Sequence, residues 1–369
     1  MATTIFTEMT ELARRTGAIN LGQGFPDEDG PAVIVDAAAT ALHEGHNQYA
    51  PLPGVPALRE AVASHQRRHY GLEPDPESEV QVTFGATEGL AAALLACVGD
   101  RDEVLALDPA YDSYAPIAEL AGGRVRPIVL EPPDWRLGEI EVSPAARVLL
   151  LNSPHNPTGR VLDEAELERL AALCREHDLI AITDEVYEHL VYDGRHVPLA
   201  TLPGMWERTL TVSSLGKTHS LTGWKVGWVT GPAALVERVR SIKQFLSFAG
   251  GTPLQHAAAV GLGLPADELA ALLRAKRDRL AAGLREAGFE TLPSAGTYFL
   301  NADARPLGED DAVRLCQRLP HEAGVVAIPL SAFSSAPRGA VRSLIRFAFC
   351  KRDDVLDQAI ERLRTRKSG

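Results

Sequence analysis

The chain has 369 residues, is 45% hydrophobic and carries a formal net charge of −12. That is enough apolar material for one large core or two coupled ones. The acidic residues are dispersed, which argues against nucleic acid or an anionic membrane as partner, because both reward clustered Lys and Arg.

The opening stretch MATTIFTEMTELARR contains acidic residues and no apolar run, so it does not read as a signal peptide. No uncharged apolar stretch is long enough to span a bilayer. Seven short apolar runs, at residues 80–84, 104–107, 124–130, 147–151, 179–183, 209–213 and 226–230, read as strands. Helical patterns separate most of them. RVLLL (147–151) and LIAIT (179–183) are almost wholly apolar, as strands covered on both faces are. Between them, Asp163 with Glu166 forms a capping signature, and Leu167, Leu170, Ala171 and Cys174 make one helical stripe. This β-α-β alternation predicts a mostly parallel seven-stranded sheet wrapped by helices, an α/β fold. From about residue 254 long charged helices (267–287) mix with a few strands (297–301, 343–349), which suggests a smaller α+β domain. The expected division is 46–253 for the large domain, with 1–45 and 254–369 forming the small one. The four cysteines (Cys97, Cys174, Cys316, Cys350) are far apart and read as small core residues in a reducing compartment, so a cytoplasmic location is expected.

Four polar segments, GATEG, DPAYDSY, NSPHNPTG and DEVYE, each follow the carboxyl end of a predicted strand. In open α/β sheets ligands bind at that edge. Gly85-Ala86-Thr87 opens a helix after a strand, a natural anion site, though many βα turns look alike. Tyr111 either stacks on a flat ring or fills core. Asn156-Pro157-Thr158-Gly159 has ordinary turn chemistry. Asp184, at the end of a strand, is either a helix cap or the buried partner of a pyridine nitrogen. Tyr187 follows it by three residues. Lys217 sits among Ser, Gly, Thr, Leu and Trp, hardly a charged surface face. A lysine that forms a Schiff base needs such desolvation to remain a neutral amine, and Lys225 adds positive charge nearby. Arg346 lies inside the apolar strand SLIRFAF, a costly position unless a carboxylate or phosphate pairs with it.

Other chemistries fail on spacing. His43-Glu44-Gly45-His46 is one residue short of H-E-x-x-H, and no metal site is expected. There is no G-x-S-x-G elbow. Gly22-x-Gly24 does not continue as G-x-G-x-x-G.

Together these segments, with INLGQGFPD, NQY, SSLGKTHSLTGWKVGW, GTYFL and IRFAFCKRDD, resemble the class I/II aminotransferases over nearly the whole chain. The branch is that of the kynurenine, glutamine and methionine aminotransferases and cysteine-S-conjugate β-lyases. INLGQGFPDEDGP, YFLNADARPLGEDD and AIPLSAF are most similar to aminotransferases proposed to act on N-succinyldiaminopimelate.

The resemblance implies fold type I, pyridoxal 5′-phosphate (PLP) as cofactor and a homodimer with shared sites. It implies that Lys217 carries the cofactor and moves the proton. Asp184 would pair with the pyridinium nitrogen, Tyr187 and Asn156 would bond the phenolic oxygen, and Tyr111 would stack on the ring. Ala86, Thr87, Ser214 and Lys225, with Tyr49 from the neighbouring subunit, would hold the phosphate. Arg346 and Asn156 would bind the substrate carboxylate, with Gly24 and Phe6 lining the pocket.

Two departures stand out. The segment between Leu130 and Asn152 is short, so a peripheral helix usual in the family is expected to be trimmed. Glu28 replaces an aromatic residue common in the kynurenine branch, so that branch's specificity does not carry over. The expected reaction moves an amino group between an L-amino acid and a 2-oxo acid. Candidate substrates are N-succinyldiaminopimelate, methionine, glutamine or aromatic amino acids, with glutamate/2-oxoglutarate. The rivals are a cysteine-S-conjugate β-lyase and a catalytically inactive binding relative.

Overall fold

In the large sheet, apolar side chains alternate between two buried faces, and this alternation fixes how the helices pack. The computed structural model describes residues 4–335 and 339–366. In chain order, α1 (Ile5–Thr16), β1 (Ile19–Asn20), α2 (Ala32–His43) and α3 (Pro56–Tyr70) come first. They are followed by β2 (Val80–Phe84), α4 (Gly85–Cys97), β3 (Glu103–Asp108), α5 (Tyr114–Leu120), β4 (Arg124–Glu131) and β5 (Arg136–Leu137). Next are β6 (Ala146–Asn152), α6 (Glu164–Glu176), β7 (Ile180–Asp184), β8 (Thr209–Ser214), α7 (Leu215–Thr218) and β9 (Val226–Thr230). The remainder comprises α8 (Ala233–Leu246), α9 (Thr252–Gly261), α10 (Asp267–Glu286), β10 (Glu290–Thr291), β11 (Phe299–Asp303), α11 (Ala312–Glu322), β12 (Val325–Val326), β13 (Ile328–Pro329), β14 (Leu344–Ala348) and α12 (Asp353–Arg364).

The main sheet runs β2-β9-β8-β7-β6-β3-β4-β5. Pairing is parallel from β8 through β7, β6 and β3 to β4, while β9 is antiparallel to both its neighbours. The sheet therefore has eight strands rather than the expected seven. The extra one is two-residue β5, which folds back antiparallel on β4 after a turn at Trp135. Trp135 is buried, so this short hairpin is pinned by its own core side chain. The helix expected to be trimmed between β4 and β6 is indeed absent.

One face of the sheet presents Val104, Val148, Ile182 and Val212 to Leu90 and Leu94 of α4 and Val236 and Val239 of α8. The alternate residues, Leu105, Leu149, Leu151 and Ala181, meet Leu167 and Leu170 of α6 on the other side. The capping box foreseen at Asp163 and Glu166 is formed, each side chain bonding the other's backbone N–H. A second sheet, β10-β11-β14-β13, is antiparallel, and its Leu300, Ile345 and Phe347 share the core of that second face. The parallel pair β1–β12 ties the N-terminal segment to this part of the chain. All four cysteines are buried, free thiols. Among the described residues no helix is long and apolar enough to cross a membrane.

Where β9 passes the start of α4, the two backbones lie close together. A Cβ on Gly227 of β9 would lie 2.6 Å from the Gly85 carbonyl carbon and 2.8 Å from the Ala86 nitrogen. These are backbone atoms and cannot swing aside. Gly227→Ala is therefore expected to cost about 1–3 kcal/mol, as overpacking does, measured as a lower denaturant midpoint with unchanged slope.

Candidate active site

The carboxyl ends of β2, β3, β6, β7 and β8 open into one cleft of about 280 Å³. Every residue singled out in the sequence as catalytic, cofactor-binding or substrate-binding lines it, with the exception of Tyr49. Tyr49 is 85% exposed and rests edge-on against Phe248, outside the cleft.

At one end, α4 begins with Gly85 at φ +71°, a conformation that favours glycine. A Cβ there would also meet the Lys225 side chain at 3.1 Å. Lys225 itself is held at φ 55°, unusual for a residue with a side chain. The lysine thus lies across the start of a 13-residue helix, whose first amides and dipole favour an anion. Ala86, Thr87 and Ser214 complete that end.

In the middle, register does the positioning. β6 and β7 pair Asn152 with Asp184. The Asn152 amide donates to the Asp184 carbonyl at 2.8 Å and its side-chain oxygen accepts from the Asn156 N–H at 2.7 Å. Asp184 is buried, and the Tyr114 hydroxyl donates to its carboxylate at 2.7 Å. Burial pushes its carboxyl up to about 6, although the Tyr114 bond, the Val186 N–H and Lys217 pull the other way.

Lys217, on α7, donates from Nζ to the Tyr298 hydroxyl at 3.1 Å. Tyr298 in turn donates to the Gly24 carbonyl at 2.5 Å and meets Tyr187 edge-on at 5.2 Å. Burial lowers the Lys217 ammonium from its ordinary range, with Lys225 and Arg346 adding to the effect and Asp184 opposing it. Burial likewise raises the Tyr187 phenol.

At the far end stands Arg346, which is 1% exposed. It donates to Asn156 Oδ1 at 2.9 Å and to the Gly22 carbonyl at 3.0 Å, and both partners are neutral. Its guanidinium lies 3.9 Å from the Phe299 ring centre and 4.4 Å from that of Phe333. Its Nε has no partner among the described residues. Burial lowers it to about 10. Phe6 packs edge-on against Phe333, and a Cβ on Gly24 would lie 2.5 Å from the Phe299 ring.

A family profile, Aminotransferase class I and II, matches residues 16–363. The chain belongs to the class I and II aminotransferases. This aminotransferase is 52% identical to the probable N-succinyldiaminopimelate aminotransferase of Mycobacterium tuberculosis, over 98% of this chain and 96% of that protein. It is 44% identical to the methionine aminotransferase of Escherichia coli, over 99% and 96%. A rat kynurenine–oxoglutarate transaminase is 37% identical, over 98% and 95%. The solved structure of the M. tuberculosis N-succinyldiaminopimelate aminotransferase superposes with a TM-score of 0.96, over 98% of this chain and 97% of that one at 51% identity.

Three contributors to the cleft escaped sequence reasoning: Asn152, Tyr114 and Tyr298. Asn152 opens the NSPHNPTG segment and Tyr298 lies in GTYFL, so the motifs were visible but not these roles. Glu28, the departure from the kynurenine branch, accepts from Lys276 of α10 at 2.9 Å.

Asp184 makes the cofactor-free protein sensitive to pH. Below about pH 4 both folded and unfolded chains hold its proton. Above about 6 both have lost it, and only the folded chain bears the cost of a buried carboxylate. Asp184→Asn is therefore expected to stabilise cofactor-free protein at pH 7 by about 1–3 kcal/mol. At pH 4 it should have little effect, and thermal melts at the two pH values measure the difference.

Proposed function

We propose that this aminotransferase holds PLP on Lys217 and moves an amino group between an L-amino acid and a 2-oxo acid. The observation that carries the reading is Arg346, a buried guanidinium with neutral partners in the same cleft as a desolvated lysine. A free α-carboxylate is the ligand that such a fork accepts bidentately. It would place the α-amino group of a substrate toward Lys217.

The residues fit the cofactor. The glycine-lined start of α4, with Lys225 and Ser214, suits its phosphate, and Tyr111 suits its ring face. The otherwise costly Asp184 carboxylate suits a protonated ring nitrogen. Tyr187 and Asn156 would bond the phenolic oxygen. When bound, PLP supplies a ring that accepts the electrons left at the substrate Cα. Asp184, once ionised, would hold a proton on the ring nitrogen. Lys217, which burial shifts toward its neutral form, would be the base that takes the substrate Cα proton and the acid that gives it back. Phe6, Phe299 and Phe333 cover the carboxylate end, where exclusion of water strengthens the Arg346 pair.

We further propose a homodimer, because Tyr49, Phe248 and Phe84 form an exposed apolar group next to the anion end. A second copy would cover them and bring its own Tyr49 to the phosphate. A cytoplasmic location accords with four unpaired buried thiols. For substrate, the M. tuberculosis relative favours N-succinyldiaminopimelate, with glutamate/2-oxoglutarate as the other pair. The relatives give no support to the β-lyase reading, and the retained, convergent side chains tell against an inactive one.

With PLP, wild-type protein is expected to show the visible absorbance of lysine-bound cofactor, and Lys217→Ala to lose both that band and turnover. Turnover by Lys217→Ala at the wild-type rate would refute the reading. Arg346→Lys is expected to lower kcat/KM for amino acids by roughly 100-fold, the worth of a charge-assisted pair, while the absorbance remains. In a panel of amino donors, N-succinyldiaminopimelate is expected to exceed methionine, glutamine and kynurenine in kcat/KM. Preference for any of these three would reassign the substrate without touching the reaction class.

A further inference from the structure

A second constellation lies outside the catalytic cleft. His65 and His69 are four residues apart on α3, a spacing that puts both rings on one helical face. His189 reaches them from the turn after β7, more than a hundred residues later. The three rings pack at centroid distances of 4.6, 5.0 and 4.8 Å, and one ring nitrogen from each lies within 4.8 Å of the others. Nε2 of His65 and Nε2 of His189 are 2.7 Å apart, so the two nitrogens point at one another and a single proton joins them.

We propose that His65, His69 and His189 form a binding site for a divalent transition-metal ion of the zinc, cobalt or nickel class. Imidazole nitrogen is the ligand these ions favour. Two nitrogens on a tetrahedral metal at about 2.0–2.1 Å stand roughly 3.3 Å apart, so the ion replaces the shared proton with a small parting of the rings. His69 is exposed and gives solvent access. Its Nε2 accepts from Arg68 Nε at 3.3 Å, a contact that ligation through that nitrogen displaces.

A negative charge waits beside the cluster. The buried Glu188 carboxylate lies 4.0 Å from His65 Nε2 and is held by the Tyr70 and Ser213 hydroxyls, both at 2.5 Å. It offsets part of the ion's charge, as outer carboxylates do at histidine-metal sites. Trp228 lines the small cavity next to the histidines, and its buried indole N–H has no partner among the described residues. A water as fourth ligand would offer it one. Ser214 lines both this cavity and the catalytic cleft, so the ion would clamp α3 to the wall behind the anion end.

The test uses untagged, PLP-loaded protein stripped with a chelator and titrated calorimetrically with Zn²⁺ and with Co²⁺. One ion per chain is expected, at micromolar Kd, with the intense visible absorption of tetrahedral Co²⁺ and a higher Tm. His69→Ala and His189→Gln change residues that are not fully buried, and circular dichroism checks that each still folds. Each is expected to weaken binding at least tenfold and to remove the Tm gain. Absence of saturable binding, or equal binding by folded variants and wild type, overturns the proposal.

Discussion

Arg346 is a charge buried in a strand and met only by neutral oxygens, and much of the architecture around it exists to tolerate that. A buried, incompletely paired guanidinium costs several kcal/mol, yet here it lies between two aromatic rings and bonds a carbonyl and an amide. β14 lies beside β11 in the small sheet, so the position of Arg346 is set by a core it shares with Leu300 and Phe347. What reaches it from the large sheet is Asn156. From there a continuous path runs through Asn152 to Asp184 and Tyr114. Arg346 and Asp184 are thus two ends of one hydrogen-bonded path across both sheets.

That path depends on strand register. Asn152 opposes Asp184, and Asp184 in turn opposes Val212 two residues before Ser214. A one-residue slip in any of these parallel pairings would turn the polar side chain away from the cleft and an apolar one toward it. The alternating buried faces forbid such a slip, because it would drive Val148 and Leu149, Ile182 and Ala181 onto the wrong helices. Packing of the two cores is therefore also what holds the catalytic geometry.

Much of this was legible in the chain. Apolar runs located the strands of the main sheet, and the Asp163–Glu166 signature located α6 to the residue. The convergence of strand-end loops followed from topology alone. Other features were hidden for physical reasons. Tyr114 closes the polar DPAYDSY segment and Tyr298 lies in GTYFL, but both are nearly fully buried, so only the hydroxyl's partner reveals a role. β5 is two residues long and carries no periodicity to detect. The pair His65 and His69 looks like part of an ordinary charged helix, HQRRH, until the fold brings His189 alongside. Tyr49 is exposed and does not line its own chain's cleft, so the fold of a single chain leaves it apart from the other residues singled out in the sequence.

The shifted groups of the cleft point in a common direction. Burial raises Asp184, lowers Lys217 and lowers Arg346, so each is pressed toward its neutral form. A pocket in which an acid, an amine and a guanidinium all carry desolvation costs is poorly satisfied by itself and well satisfied by a ligand bearing the complementary charges. Whatever supplies a protonated ring nitrogen, a carbonyl for the amine and a carboxylate for the guanidinium relieves all three at once. Ligand binding and folding stability then become one coupled equilibrium, in which occupancy of the cleft adds to the stability of the fold. The strain follows directly from burying these residues, and the same burial favours the neutral amine of Lys217, the form able to act as nucleophile and base.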